Sequence, residues 1–457
     1  MFFSSILFIF IYLPILLITY YLCPIKYRNY ILLLFSIIFY FIGEPKIIIF
    51  LFLSSIINYY SAKLITKYPK YKKIILIINL IYNISMLFYF KYIDFIIKNI
   101  NLLFNTNFNL FYAILPIGIS FYTFQGISYV IDIYNNKINN AKIIFDFMTY
   151  LFLFPQLIAG PIVRYKDISD DMNNRKFNID NFSNGIKRLI IGLSKKVLLA
   201  NVLGELIKKI TIETVLSSWL KPVLYTLQLF FDLSCYSDMA IGLGLLFGFT
   251  FLEIFNYPLK ATSITDFWRR WHISLSSWFR DYLYIPLGGN KCSKLRNCLN
   301  IIIVWFLTGL WHGDNWTFII WGLYFGLILI IEKTFYLDKL NKTKIIKYIY
   351  TTILIAISFL IFSSSNLNEL INNLKNMFFI NKLDLINKET IFYLKDYLLI
   401  ILISILCATP LIKNIFNKIN KIKYLNLIEI ITYLILFILS ISFIIDASFN
   451  PFLYFRF

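Results

Sequence analysis

The chain carries only two histidines, His272 and His312, and their surroundings set the chemistry open to them. His312 sits in TGLWHGDNW (Thr308 to Trp316), where Gly309 and Gly313 allow close backbone approach and Trp311 and Trp316 can wall a pocket. His272 sits among Trp268, Arg269, Arg270, Trp271, Trp278, Arg280 and Asp281. A histidine on an apolar helix is most often a packing residue, but glycine, tryptophan and charge at this density favour a site. Other catalytic inventories fail. A metal hydrolase needs three or four converging ligands, which two histidines and few carboxylates within apolar runs do not supply. No GxSxG elbow, HExxH helix or phosphate-binding P-loop is present. A lone neutral imidazole does suffice as general base when its neighbour is an alcohol and the substrate an already activated acyl group. That combination is acyl transfer from a thioester.

Such side chains need elements to hold them, and composition says which. Of 457 residues, 59% are hydrophobic, 19% aromatic and 15% charged. Soluble domains carry about 25% charged residues, so a soluble monomer is ruled out. Apolar runs of about 20 residues recur along the chain, and they are continuous rather than alternating, which excludes a β-barrel. The expectation is an all-α polytopic integral membrane protein with about eleven to twelve transmembrane helices plus re-entrant segments. The opening run, Phe2 to Cys23, has no basic n-region and no small-residue cleavage site, so it reads as a first transmembrane helix rather than a signal peptide. Lys26 and Arg28 follow it, Glu44 and Lys46 follow the second run, and Lys63, Lys67, Lys70, Lys72 and Lys73 follow the third. Positive-inside reasoning therefore puts the N-terminus outside, with topology assigned only as far as about residue 95.

Two segments differ in character, 150–165 (YLFLFPQLIAGPIVRY) and 266–290 (DFWRRWHISLSSWFRDYLYIPLGGN), each mixing Pro, Gly, charge and aromatics. Irregular backbone at membrane depth is tolerated only where protein buries it or a wet cavity lines it, so both are expected to be re-entrant and to shape an internal site. Asp232, Ser234, Tyr236, Ser237 and Asp238 bring polarity to an otherwise apolar helix, where they either line a cavity or bridge helices. Lys195 and Lys196 pose the same choice, with snorkelling the default, and Gln125 and Gln156 are expected to join hydrogen-bond networks between helices. The formal net charge of +20 reads as anchoring loops on the cytoplasmic side rather than nucleic-acid binding. The five cysteines (Cys23, Cys235, Cys292, Cys298, Cys407) are scattered and read as reduced thiols with no metal site. Abundant Lys, Ile and Asn suggest an AT-rich genome, which raises Phe and Tyr without a functional cause.

The runs LPIGISFYTFQGISYVIDIY (Leu115 to Tyr134), FPQLIAGPIVRY (Phe154 to Tyr165), YSDMAIGLGLLFGF (Tyr236 to Phe249), FWRRWHISLSSWFRDYLYIPLGG (Phe267 to Gly289) and TGLWHG resemble the membrane-bound O-acyltransferase family, most of all its bacterial alginate O-acetylation type. The resemblance runs from about residue 110 to residue 335. It implies a single membrane domain over 1–457, with peripheral N-terminal spans (1–105), a catalytic core (110–335), C-terminal spans (346–446) and an aromatic tail (447–457) around a central tunnel. It implies that His312 is the catalytic base and that His272 occupies the family's second, more variable polar position, assisting the acyl pocket or hydrogen bonding structurally. One departure is Cys235, where the related pattern usually has Gly.

The function implied is transfer of an acetyl group from cytosolic acetyl-CoA, a donor substrate rather than a bound cofactor, to hydroxyls of a cell-surface polysaccharide. An extracytoplasmic SGNH-like acetyltransferase or esterase would be the partner, in a bacterial inner membrane. Arg269, Arg270 and Arg280, with Lys291, Lys294 and Arg296, either anchor the inner face or bind the phosphates of CoA. In the tail NPFLYFRF, Tyr454 is either an interfacial anchor or a nucleophile that relays the acyl group outward. Alternatives are D-alanyl transfer to teichoic acid from a carrier-protein thioester, fatty acylation, a polysaccharide or lipid transporter, or an assembly subunit without chemistry.

Overall fold

The computed structural model describes residues 2–157, 160–419 and 426–446. Tyr454 and the whole expected tail 447–457 lie outside the described residues, as do Ile158 and Ala159. The regular secondary structure of the described residues is helical, as a membrane-embedded backbone must be to satisfy its own N–H and C=O groups. Among the described residues seven helices are long and apolar enough to cross a membrane, or eight if Lys388–Asp396 and Leu398–Cys407, bent by 59° at their junction, form one span. The protein is therefore a multi-pass membrane protein.

Contacts divide the chain into two compact units. The first comprises 1–189 and 236–252. Its helices are α1 (Leu13–Leu22), α2 (Arg28–Gly43), α3 (Ile48–Lys67), α4 (Lys72–Phe104), α5 (Ile119–Tyr134), α6 (Ile144–Phe152), the single turn α7 (Phe154–Leu157), α8 (Tyr165–Asn174) and most of α9 (Ile179–Ser194). α1 continues from a π-helical turn at Phe8–Tyr12, with Pro14 just after their junction, and stops just before Pro24, which disfavours helix for the residue preceding it. Some of the polarity that enters the spans is satisfied internally. Asn58 Oδ1 accepts from Asn79 and Asn83, both at 3.0 Å, so α3 and α4 are joined by a buried amide cluster. The segment 150–165 breaks as its Pro and Gly content predicts: α6 ends, α7 makes one turn, and the chain runs extended into α8. Every described residue of it is buried, so this irregular backbone is covered by protein.

The second unit comprises 190–235 and 253–457. It opens with a π-helical turn (Lys195–Ala200), then α10 (Asn201–Lys209) and α11 (Val215–Leu246), whose C-terminal end belongs to the first unit. Two short helices follow, α12 (Ile264–Arg270) and α13 (Ile273–Phe279), then a π-helical turn (Arg280–Tyr284) and α14 (Lys294–His312), α15 (Trp316–Ile331), α16 (Leu337–Lys342) and α17 (Ile346–Ser363). α18 (Leu367–Met377) and α19 (Lys388–Asp396) come next, and α20 (Leu398–Cys407), α21 (Leu411–Ile419) and α22 (Asn426–Asp446) follow. The apolar core here joins leucines and isoleucines to an aromatic cluster that includes Phe230, Phe267, Trp268, Trp271, Trp321, Phe325, Phe359 and Phe362.

Candidate functional site

α14 and α15 form a tight antiparallel hairpin because glycines let their backbones meet. A methyl group at Gly309 would fall 2.4 Å from the Phe318 carbonyl oxygen, and one at Gly322 would fall 2.2 Å from that of Trp305. No larger residue fits either position without moving backbone, which is the small-residue logic of helix pairs in lipid. The turn between the helices is closed by Asn315. Its Oδ1 accepts from Thr317 N–H at 3.2 Å, and its Nδ2 donates to the Ser365 carbonyl at 2.5 Å, tying the turn to the end of α17. His312 is the last residue of α14, so the hairpin delivers it to the mouth of this turn.

The imidazole of His312 is 6% exposed and edged by three aromatic rings. Trp321 lies 4.8 Å away centroid to centroid, Trp311 5.0 Å and Phe362 5.4 Å, all close to perpendicular. His272 reaches the same place from a different element. Its ring lies 6.0 Å from Trp311, at 86°, so one indole neighbours both histidines. The two histidines expected from sequence to form a site are thus brought together around Trp311.

His272 occupies the break between α12 and α13 with φ 44° and ψ 53°, a left-handed conformation that is uncommon for a residue with a Cβ. Backbone bonds on either side hold it there: Asn256 N–H donates to Arg270 C=O and Ile273 N–H to Ile254 C=O, both at 2.9 Å. Such strain persists only where surroundings over-determine it, and it concentrates at functional sites. Burial pushes the His272 imidazole down to about 4, so it is neutral at physiological pH. Its Nδ1, Trp268 Nε1 and Trp321 Nε1 are sealed from solvent and meet no hydrogen-bond partner among the described residues. Each such group costs about 1–3 kcal/mol when left unmade, a cost that a polar substrate atom or a water in the cluster would offset.

A residue that sequence reasoning missed anchors the His272 segment. Glu332, wholly buried after the apolar run of α15, accepts from Ile264 N–H at 2.7 Å, Thr265 N–H at 2.8 Å and the Thr265 hydroxyl at 2.7 Å. It is a carboxylate cap on the N-terminus of α12, supplied from another helix. The Tyr350 hydroxyl adds a fourth bond at 3.1 Å. A lone acid at the end of an apolar run was the available signal, but its partners lie far away in sequence.

The cationic candidates separate. Arg270 pairs with Asp266 at 2.9 Å and Arg280 with the adjacent Asp281 at 2.7 Å, whereas Arg269 is exposed. Two other expectations are corrected. Lys196 does not snorkel: it is 2% exposed and its ammonium meets Asp232 at 2.5 Å, because a buried cation needs a charge partner more than its stem needs reach. Gln125 is wholly buried, yet neither amide atom meets a partner among the described residues, whereas Gln156 donates from α7 to Tyr150 C=O in α6 at 2.5 Å, a buried bond between consecutive helices. Asp238 bridges helices, pairing with Arg188 at 2.9 Å. The five cysteines are unbridged, and Cys235, at the departing position, donates its thiol to Asp232 C=O at 2.9 Å.

Comparison with known proteins points the same way as this geometry. Residues 143–363, which hold both histidines, match the model of the membrane-bound O-acyltransferase family. The chain is 37% identical to a probable alginate O-acetylase of Pseudomonas putida, over 100% of both chains. It is 37% identical to a peptidoglycan O-acetyltransferase of Helicobacter pylori, over 84% of this chain and 81% of that one. Likeness to a teichoic acid D-alanyltransferase of Bacillus subtilis is lower, 28% over 54% of this chain and 68% of that one.

Proposed function

The chain belongs to the membrane-bound O-acyltransferase family and is an O-acyltransferase, and from that premise we propose that it moves an acetyl group from cytosolic acetyl-CoA, or another acyl thioester, to hydroxyls of a cell-surface polysaccharide. The observation that carries the reading is the convergence of His312 and His272 on Trp311 inside a buried aromatic cluster with unfilled hydrogen-bond capacity. His312 is the general base. It takes the proton of the attacking hydroxyl as the O–C bond forms at the thioester carbonyl. The tetrahedral intermediate then breaks its C–S bond, and the departing thiolate recovers the proton as the CoA thiol. A general base contributes about 10²- to 10⁴-fold, and holding both reactants in one tunnel adds proximity. His272, kept neutral by burial, assists the acyl pocket. Of the three arginines, Arg269 is the first candidate for the CoA phosphates, since Arg270 and Arg280 already hold carboxylates.

In this reading eleven to twelve spans, completed by shorter helices, surround the tunnel in a bacterial inner membrane, with the N-terminus outside. Tyr454 accepts the acyl group on its phenol and relays it to an extracytoplasmic SGNH-like acetyltransferase or esterase. The two relatives at 37% identity, an alginate O-acetylase and a peptidoglycan O-acetyltransferase by name, favour O-acetyl transfer to a glycan over the D-alanyl transfer named for the less similar relative. The test is mass spectrometry of the C-terminal peptide after purified protein meets acetyl-CoA. Wild type should carry acetyl on Tyr454, while His312→Ala should lose acyl transfer by about 10²-fold or more with an unchanged melting temperature. Turnover retained in His312→Ala overturns the base assignment. CoA release that needs His312 and an added acceptor, without acetyl-tyrosine, overturns the relay and leaves direct transfer.

A further inference from the structure

In the first unit, away from the histidines in sequence, two arginines converge without a carboxylate. Arg28 opens α2 and Arg175 follows α8. The Arg28 guanidinium carbon lies 5.0 Å from the Tyr20 ring and 5.4 Å from that of Tyr21, at the end of α1, and the Arg175 guanidinium carbon lies 4.2 Å from the Phe249 ring. The aromatic faces hold both cations in place without neutralising them. Among the described residues neither arginine is within ion-pair distance of an acid, whereas the buried Lys196 and the half-buried Arg188 each have one. The nearby Asp171 spends a carboxylate oxygen on Thr250, accepting from its N–H at 3.0 Å and its hydroxyl at 2.9 Å.

The hydrogen bonding of Arg175 is incomplete in a specific way. One terminal nitrogen donates to Asn29 Oδ1, and Asn29 is itself fixed by donating to Met172 C=O at 3.1 Å. The other two nitrogens, Nε and Nη1, are sealed from solvent and meet no acceptor in hydrogen-bonding geometry among the described residues. The Tyr20 hydroxyl, which gives its proton to Phe247 C=O at 2.9 Å, is a polar neighbour of the Arg175 guanidinium. A guanidinium with two unused donors and a second guanidinium beside it is a receptor for a tetrahedral oxyanion, which accepts from several forked N–H groups at once. Arg28, seated on the two tyrosine faces, donates to Cys23 C=O at 3.5 Å and is half-exposed, and its charge lies in the surroundings of Arg175. The rim is apolar and exposed: Leu22 at 81%, Ile25 at 68% and Ile179 at 65%. Basic groups just beyond the end of a span, with apolar side chains around them, lie at the depth of lipid headgroups.

We propose that Arg28 and Arg175 form a binding site for a phosphate ester, supplied by the headgroup of an anionic phospholipid at the membrane face where the first helix ends. The site depends on neither histidine. The experiment is native mass spectrometry of the full chain in detergent, titrated with phosphatidylglycerol and, separately, with phosphatidylcholine. Wild type should retain one phosphatidylglycerol at least about tenfold more tightly than phosphatidylcholine, whose choline cation the arginine pair repels. Arg28→Gln and Arg175→Gln should each abolish that preference, and Arg175→Lys should restore part of it. If Arg175→Gln does not fold, Arg28→Gln, at a half-exposed position, carries the test alone. Adenosine 3′,5′-bisphosphate distinguishes the source: displacement of the lipid by it, dependent on Arg28, keeps the phosphate site and assigns it to a soluble phosphate ester. Equal retention of both lipids by wild type, with no effect of the bisphosphate, overturns the proposal. His312→Ala should leave lipid retention unchanged, so failure here and failure of the acyl-transfer reading are separately visible.

Discussion

His272 has its conformation and its protonation state set by the same surroundings. Removing the ring from water disfavours the imidazolium, which lowers its pKa from the ordinary 6.5 to about 4. Between those values the unfolded chain binds more protons than the folded one. The stability contributed by this group is therefore fully present above about pH 6.5 and is lost progressively as pH falls towards 4, up to about 3 kcal/mol. His272→Asn is the informative variant, since asparagine tolerates a left-handed backbone and does not titrate. Its melting temperature should fall less than that of wild type between pH 7 and pH 4.5. Equal acid sensitivity in both proteins would show that this imidazole is not the group responsible. The acyl-transfer rate of the same variant at pH 7 separates the two roles: a loss of tenfold or more fits assistance in the acyl pocket, and an unchanged rate fits structural hydrogen bonding.

At the scale of elements, the site depends on short helices that cannot stand alone. α12 has only seven residues, Ile264–Arg270, below the length at which a helix persists by itself, about 12 residues. Ser263 caps α12 locally, accepting from Asp266 N–H at 3.0 Å, and Glu332 adds acceptors for its first two N–H groups. Glu332→Gln keeps the shape but turns one acceptor into a donor that faces donors, and should cost about 1–3 kcal/mol. Because α12 leads directly into His272, turnover should fall more than donor affinity, measured as kcat against KM. An unchanged kcat would detach the cap from the site. Sequence reading found His312, His272 and the glycines around them because each has a local signature, TGLWHG being the clearest. Glu332, the left-handed backbone at His272 and the Lys196–Asp232 pair were not legible in the same way. Each exists only through a partner distant in the chain, and local pattern treats an isolated acid or lysine as a span boundary or a snorkelling side chain.

For the molecule as a whole, helical character and repeated crossing followed from apolar runs, but the number of spans did not. Several helices are broken by π-helical turns or sharp bends, which hydropathy averages away. Orientation rests on charge, and the early helices let it be tested cleanly. Lys46 precedes α3 and Lys70 follows it, and both are exposed. The 20 residues of α3, Ile48–Lys67, extend about 30 Å at 1.5 Å per residue, enough to cross the hydrocarbon core. The two lysines must then face opposite compartments. The cluster Lys63, Lys67, Lys70, Lys72 and Lys73 outweighs Lys46 with its neighbour Glu44, so the Lys70 side is expected to be cytoplasmic. In a cysteine-free background, Lys46→Cys should react with a membrane-impermeant maleimide on spheroplasts, and Lys70→Cys only after permeabilisation. The reverse pattern would invert the N-terminal half. Arg28 shares a side with Lys70 if α2 and α3 both cross, so inversion would also move the proposed phosphate site to the outer leaflet, where a cytosolic nucleotide cannot reach it and only a lipid could.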